Sequence, residues 1–127
     1  MSYLFQMEPW MLPLLLPFGA KQENSFVAIE DDQLHIKMGK LFDEKIDIKS
    51  ISDVSLSKWS ILGGLGHRVG LKQDMAVLAS TKNVIKIHFE DPQALKALGP
   101  VYLKINDFYL ALQSPEDFIS EINTLLA

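Results

Sequence analysis

The chain contains no cysteine. That excludes disulfides, a thiolate metal site and a cysteine nucleophile, and it leaves the redox compartment open. Arginine is nearly absent, Arg68 being the only one. The lysines are scattered and the net charge is −4, so the basic stripe of a nucleic-acid-binding protein is missing. The apolar run "WMLPLLLPF" from Trp10 to Phe18 falls far short of the ~20 residues that span a bilayer. Pro13 and Pro17 break it, and Glu8, not a positive region, precedes it, so it does not read as a secretory signal. A soluble, cytoplasmic protein without membrane contact is expected. None of His35, His67 and His88 belongs to an H-x-x-x-H, H-x-H or E-x-x-H spacing, so neither a metal site nor a cofactor is expected.

What is present is the composition of one compact globular domain: 127 residues, 48% hydrophobic and 22% charged. Residues 1–22 form an apolar, proline-punctuated lead. Pro9, Pro13 and Pro17 at four-residue spacing forbid a good helix, which suggests an irregular arm laid on the domain. Residues 23–127 are the domain itself. "SFVAIE" and "QLHIKM" alternate apolar and polar residues around Asp31 and Asp32, the pattern of a hairpin. In "LFDEKIDIK", Phe42, Ile46 and Ile48 share a face with Glu44, while Asp43, Lys45, Asp47 and Lys49 make a solvated face. Ser50 to Asp53 reads as a turn and Val54 to Trp59 as a strand. Beyond the glycine-rich stretch, "RVGLKQDMAVLAS" reads as strand, turn and strand. "VIKIHFE" is a strand with Ile85, Ile87 and Phe89 inward, and "DPQALKALGP" a connection with room for one helical turn. A turn at Asn106 and Asp107 divides the last strand region.

The end of the chain changes period. Ser114, Pro115 and Asp117 mark a helix start: a capping serine, a proline at the first helical position and an acid at the third. Phe118, Ile119, Ile122, Leu125 and Leu126 then form one apolar stripe. About seven short antiparallel strands followed by one amphipathic helix predict a small β-barrel or roll whose mouth the helix fills.

In layout this is similar to a pleckstrin-homology-like domain, a bent seven-stranded antiparallel barrel capped by a C-terminal helix. More narrowly, the chain resembles a family of uncharacterised bacterial proteins of this size. The resemblance is carried, in order, by the lead ending in "FGA", by "VAIEDDQLHIKMG", "IDIKSISDVSLSKW", "GLGHRVGL" and "VIKIHFEDP", and by "LQSPEDFISEIN". It implies a fold and no enzyme activity; domains of this kind bind phosphoinositides, peptides or proteins.

The stretch "SILGGLGHRVG" is the one motif with chemical character. Gly64 and Gly66 begin a dinucleotide fingerprint, but Val69 stands where the third glycine belongs, and no P-loop lysine follows. A weaker anion reading rests on Lys58, His67, Arg68 and Lys72, since a guanidinium suits carboxylate or phosphate. Lipid-binding pleckstrin-homology domains use a basic first loop; here that loop carries Asp31 and Asp32, which disfavours phosphoinositides. The favoured reading is that these glycines permit a bend and Arg68 pairs with an acid. Ser80 lacks the G-x-S-x-G nucleophile elbow, and the acids form no catalytic pair.

The expected function is therefore a non-catalytic interaction module, not an enzyme. It would bind protein or peptide, or self-associate, at a strand edge or through the arm at Trp10, Met11, Leu14 and Leu15. The alternatives are a barrel holding a small apolar ligand or lipid and, less favoured, an anion-binding enzyme using Arg68 and His67.

Overall fold

The computed structural model describes residues 2–7, 25–39, 42–57, 66–69, 74–78, 80, 82–96 and 102–126. Among these residues nine strands and one α-helix follow in order: β1 (Ser2–Leu4), β2 (Ser25–Glu30), β3 (Gln33–Met38), β4 (Phe42–Asp47), β5 (Ile51–Ser57), β6 (Gly66–Val69), β7 (Asp74–Leu78), β8 (Val84–Lys96), β9 (Tyr102–Ala111) and α1 (Pro115–Leu126). They make a four-stranded sheet, β1-β2-β3-β4, and a five-stranded sheet, β5-β8-β9-β7-β6. The protein is thus mainly β with a C-terminal helix, but among the described residues its strands form two sheets and no closed barrel. The all-antiparallel expectation also fails at one pair, because β7 and β9 run parallel. Among the described residues no helix is long and apolar enough to cross a membrane.

The hairpin is where alternation predicts it. Val27 pairs with Ile36 and Ile29 with Leu34, all core side chains, and Asp31 adopts φ 53° in the turn. Aspartate tolerates that left-handed conformation better than most residues. β4 stops sooner than its pattern suggests. Asp47 accepts a hydrogen bond from the Lys49 amide at 3.0 Å, turning Ile48–Ser50 into a 3-10 turn. A short polar side chain competing for local backbone explains the early end, and Ile48 is buried all the same. The next strand accordingly begins at Ile51, inside the expected turn.

Two further corrections belong to β8 and β9. "DPQALK" continues β8 as strand, with no helical turn, and Asn106–Asp107 lies inside an unbroken β9. Between the His88–Asp107 and Gln93–Ile105 rungs, β8 runs from Phe89 to Pro92 while β9 supplies only Asn106. This is an enlarged bulge, a place where a proline costs the ladder nothing. The Asn106 side chain donates to the Phe89 carbonyl at 3.3 Å, so it serves the neighbouring strand and not a turn of its own.

The main core draws on both sheets, and a smaller cluster of Ala76, Leu78, Val84 and Ala111 lies within the larger sheet. Phe5, Phe89, Phe108 and Phe118 are fully buried in the main core with Leu34, Ile36, Ile85 and Ile87. The first residues belong to this architecture and are not irregular. Ser2–Leu4 pairs with β2, Phe5 bridges Leu112, the Gln6 amide donates to the Ala111 carbonyl at 2.8 Å, and Gln113 donates to Leu4 at 2.9 Å. These bonds join the two sheets along one seam.

α1 begins as its sequence dictates, with the Phe118 amide bonded to the Ser114 carbonyl at 3.2 Å and Glu116 and Asp117 in the first turn. It packs on β5 and the 3-10 turn. Phe118 and Ile122 are fully buried, Ile119 and Leu126 partly so, and Leu125 is 49% exposed, leaving the buried stripe narrower than the apolar pattern. Replacing Phe118→Ala should therefore lower unfolding free energy by about 3–5 kcal/mol. Urea unfolding followed by circular dichroism checks this, and a loss below about 1 kcal/mol would mean the helix is not seated as described.

Candidate functional site

Of the residues singled out in the sequence, Lys58, Lys72, Trp10, Met11, Leu14 and Leu15 lie outside the described residues. His67 and Arg68 occupy consecutive positions in β6, the edge strand of the larger sheet, opposite Val77 and Ala76 of β7. Ser80 is buried, and its hydroxyl accepts a hydrogen bond from the Lys82 amide at 3.0 Å, a structural use.

The other two histidines sit on the outer faces of the sheets, each beside an aspartate. His35 Nε2 is 2.6 Å from Asp43 Oδ1, and its ring stands edge-on to Phe26. His88 Nδ1 is 2.7 Å from Asp107 Oδ1, with Lys86 Nζ 3.9 Å from the same oxygen. These are cross-strand pairs: His35 lies two rungs diagonally from Asp43, and His88 stands directly opposite Asp107. Among the described residues no three histidines and carboxylates gather where a metal could be held.

Among the described residues, two grooves flank α1. On one side a groove of about 540 Å³ runs between the helix and β1, lined by residues that include Tyr3, Ser114, Asp117 and Glu121. Tyr3 is 6% exposed; its ring meets Phe118 edge-on with centroids 5.3 Å apart. Its hydroxyl donates to Glu121 Oε1, with the Asp117 carbonyl 3.4 Å away. Burial, then the hydrogen bond and charge of Glu121, then the charge of Asp117, hold the phenol well above the usual tyrosine range.

On the other side a larger groove, about 780 Å³, lies between α1 and β5. Ser55 and Leu56 form one wall, and Glu116, Ile119, Ser120, Asn123 and Thr124 form the other. Leu56 is the informative residue. It pairs with Ile85, which pairs with Leu110, and both of those are fully buried in the core. Leu56 continues that core-facing row and yet is 55% exposed. The groove is therefore a place where the core reaches the surface at the edge of the sheet. Sequence alternation marks Leu56 as inward, in step with Val54. What it lacks is any sign that β5 ends the sheet or that α1 stops short of covering it.

The chain matches no protein-family model, and no curated protein or solved structure shows significant similarity to it.

The Tyr3–Glu121 bond generates a pH dependence. The folded protein holds the phenolic proton more tightly than the unfolded chain, where tyrosine ionises near pH 10. Its contribution is complete below about pH 10 and is lost as pH rises into the strongly alkaline range. The stability advantage of the native protein over Tyr3→Phe should thus be constant from about pH 7 to 9 and shrink above about pH 10. Paired urea titrations measure it; an advantage that persists undiminished at about pH 11 contradicts the assignment.

Proposed function

We propose that this chain is a non-catalytic interaction module of the pleckstrin-homology-like kind. It binds an extended peptide, or an extended segment of another protein, along β5 in the groove beside α1. The mainly β architecture with a C-terminal helix packed on the core supports the fold assignment. The observation that carries the function is the exposed Leu56 in a core-facing row.

The physical logic is strand addition. β5 lies at the end of its sheet and pairs with β8 alone among the described strands. Such an edge presents main-chain donors and acceptors to an incoming strand. A docked strand would also place alternate side chains over Leu56 and the half-buried Ile119, removing apolar surface from water at about 25 cal/mol per Å². The hydroxyls of Ser55, Ser120 and Thr124 and the amide of Asn123 offer polar contacts along the same groove. An internal ligand is the weaker reading, because four fully buried phenylalanines fill the space between the sheets.

A cellulose-bound array of random nonapeptides, probed with the full chain, tests the proposal. Retained peptides should bind Leu56→Gln about tenfold more weakly, equivalent to about 1.4 kcal/mol, at unchanged melting temperature. An array without binders, or binders indifferent to Leu56→Gln, would overturn it.

A further inference from the structure

Resting on the β5-groove reading, we infer that the segment this groove accepts is cationic: it carries a lysine or arginine two positions from an apolar residue. Three observations converge on that chemistry. The first is the charge of the helix. α1 holds Glu116, Asp117 and Glu121 and no basic residue at all. The second is location. Among the described residues lining the β5 groove, Glu116 is the only ionisable group, and it is exposed; the other described polar lining groups are neutral hydroxyls or amides. Lys49, on the 3-10 turn that α1 also touches, is exposed and is not part of the lining. The third is the helix start. Glu116 in the first turn already complements the positive end of the helix dipole, so an anionic ligand on the β5 side would meet a carboxylate and not a free dipole end.

The spacing follows from element geometry. Glu116 and Ile119 are three residues apart on α1, one above the other, separated by about 4.5 Å of rise. In an extended segment, side chains on one face recur every second residue, about 6.8 Å apart. An apolar side chain set over Ile119 and Leu56 therefore brings the residue two positions away past Glu116. A flexible lysine or arginine stem absorbs the remaining offset.

The same charges argue against a second copy of this chain as the occupant. Two β5 edges pairing about a twofold axis would bring two acid-only helices toward each other, and like charges across an interface disfavour association.

The test sorts the array peptides retained by the full chain according to charge and measures their affinities for Glu116→Gln, Glu116→Lys and Leu56→Gln. Lysine or arginine should be enriched two positions from an apolar residue. Glu116→Gln should weaken those peptides several-fold. Glu116→Lys should weaken them more than tenfold and shift selection on a fresh array toward acidic peptides. Rising salt should weaken the native complex and leave the Glu116→Gln complex nearly unaffected. Retained peptides that depend on Leu56 but show no basic preference, or do not respond at Glu116, sink the charge inference and leave the groove standing. Peptides indifferent to Leu56→Gln sink the groove itself. A dimer whose dissociation constant rises with Leu56→Gln would overturn the inference in favour of a second copy.

Discussion

Two side chains, Phe118 and Ile122, fix the last element of the chain to the core, and the surface around them is set by how far that contact extends. Burial of each is worth about 1.5–3 kcal/mol, enough to hold a twelve-residue helix that would be marginal alone in water. The contact is narrow. With Ile119 only partly covered and Leu125 turned toward solvent, the helix closes the core over its middle and leaves Leu56 of β5 uncovered. The groove at Leu56 is a consequence of that incomplete closure.

The helix is not held in the same way on both sides. Toward β1 it is tied by specific bonds: the Tyr3 ring on Phe118 and the Tyr3 hydroxyl on Glu121. β1 in turn is bonded to β2 and, through Gln6 and Gln113, to the end of β9. The first and last elements thus brace each other across the seam that joins the sheets. Toward β5, polar lining groups and the exposed Leu56 share an open groove.

Local pattern made part of this legible. Alternation located the β2–β3 hairpin and the buried face of β8, and serine, proline and the acids located the start of α1. These features are set by neighbours within a few residues. What could not be read depended on distant partners. Asn106–Asp107 has the composition of a turn, but Asn106 is recruited by the Phe89 carbonyl of the adjoining strand. "DPQALK" carries a proline and helix-forming residues, yet pairing with Ile105 to Tyr102 makes it strand. The parallel pairing of β7 with β9 and the position of β5 at a sheet edge are likewise properties of strand order, which alternation does not encode. The candidate site was hidden for this reason. Leu56 has the sequence context of a core residue and becomes exposed only because its sheet ends there.

Bracing on one side of the helix bears on the proposed binding at the other. A docked strand loses its own freedom, and affinity is further reduced if the receiving groove must also be ordered. Here the far wall is already fixed, because α1 cannot tilt away from β5 without disturbing the Tyr3–Phe118–Glu121 contacts. The near wall is fixed by the pairing of β5 with β8, from Val54–Ile87 to Ser57–Val84. Both walls are therefore set by interactions that a ligand at β5 leaves intact. An occupant of that groove adds main-chain bonds and covers Leu56 without breaking anything that holds the fold. The β1 side offers no such opening, since a ligand there would have to compete with the tyrosine for its carboxylate.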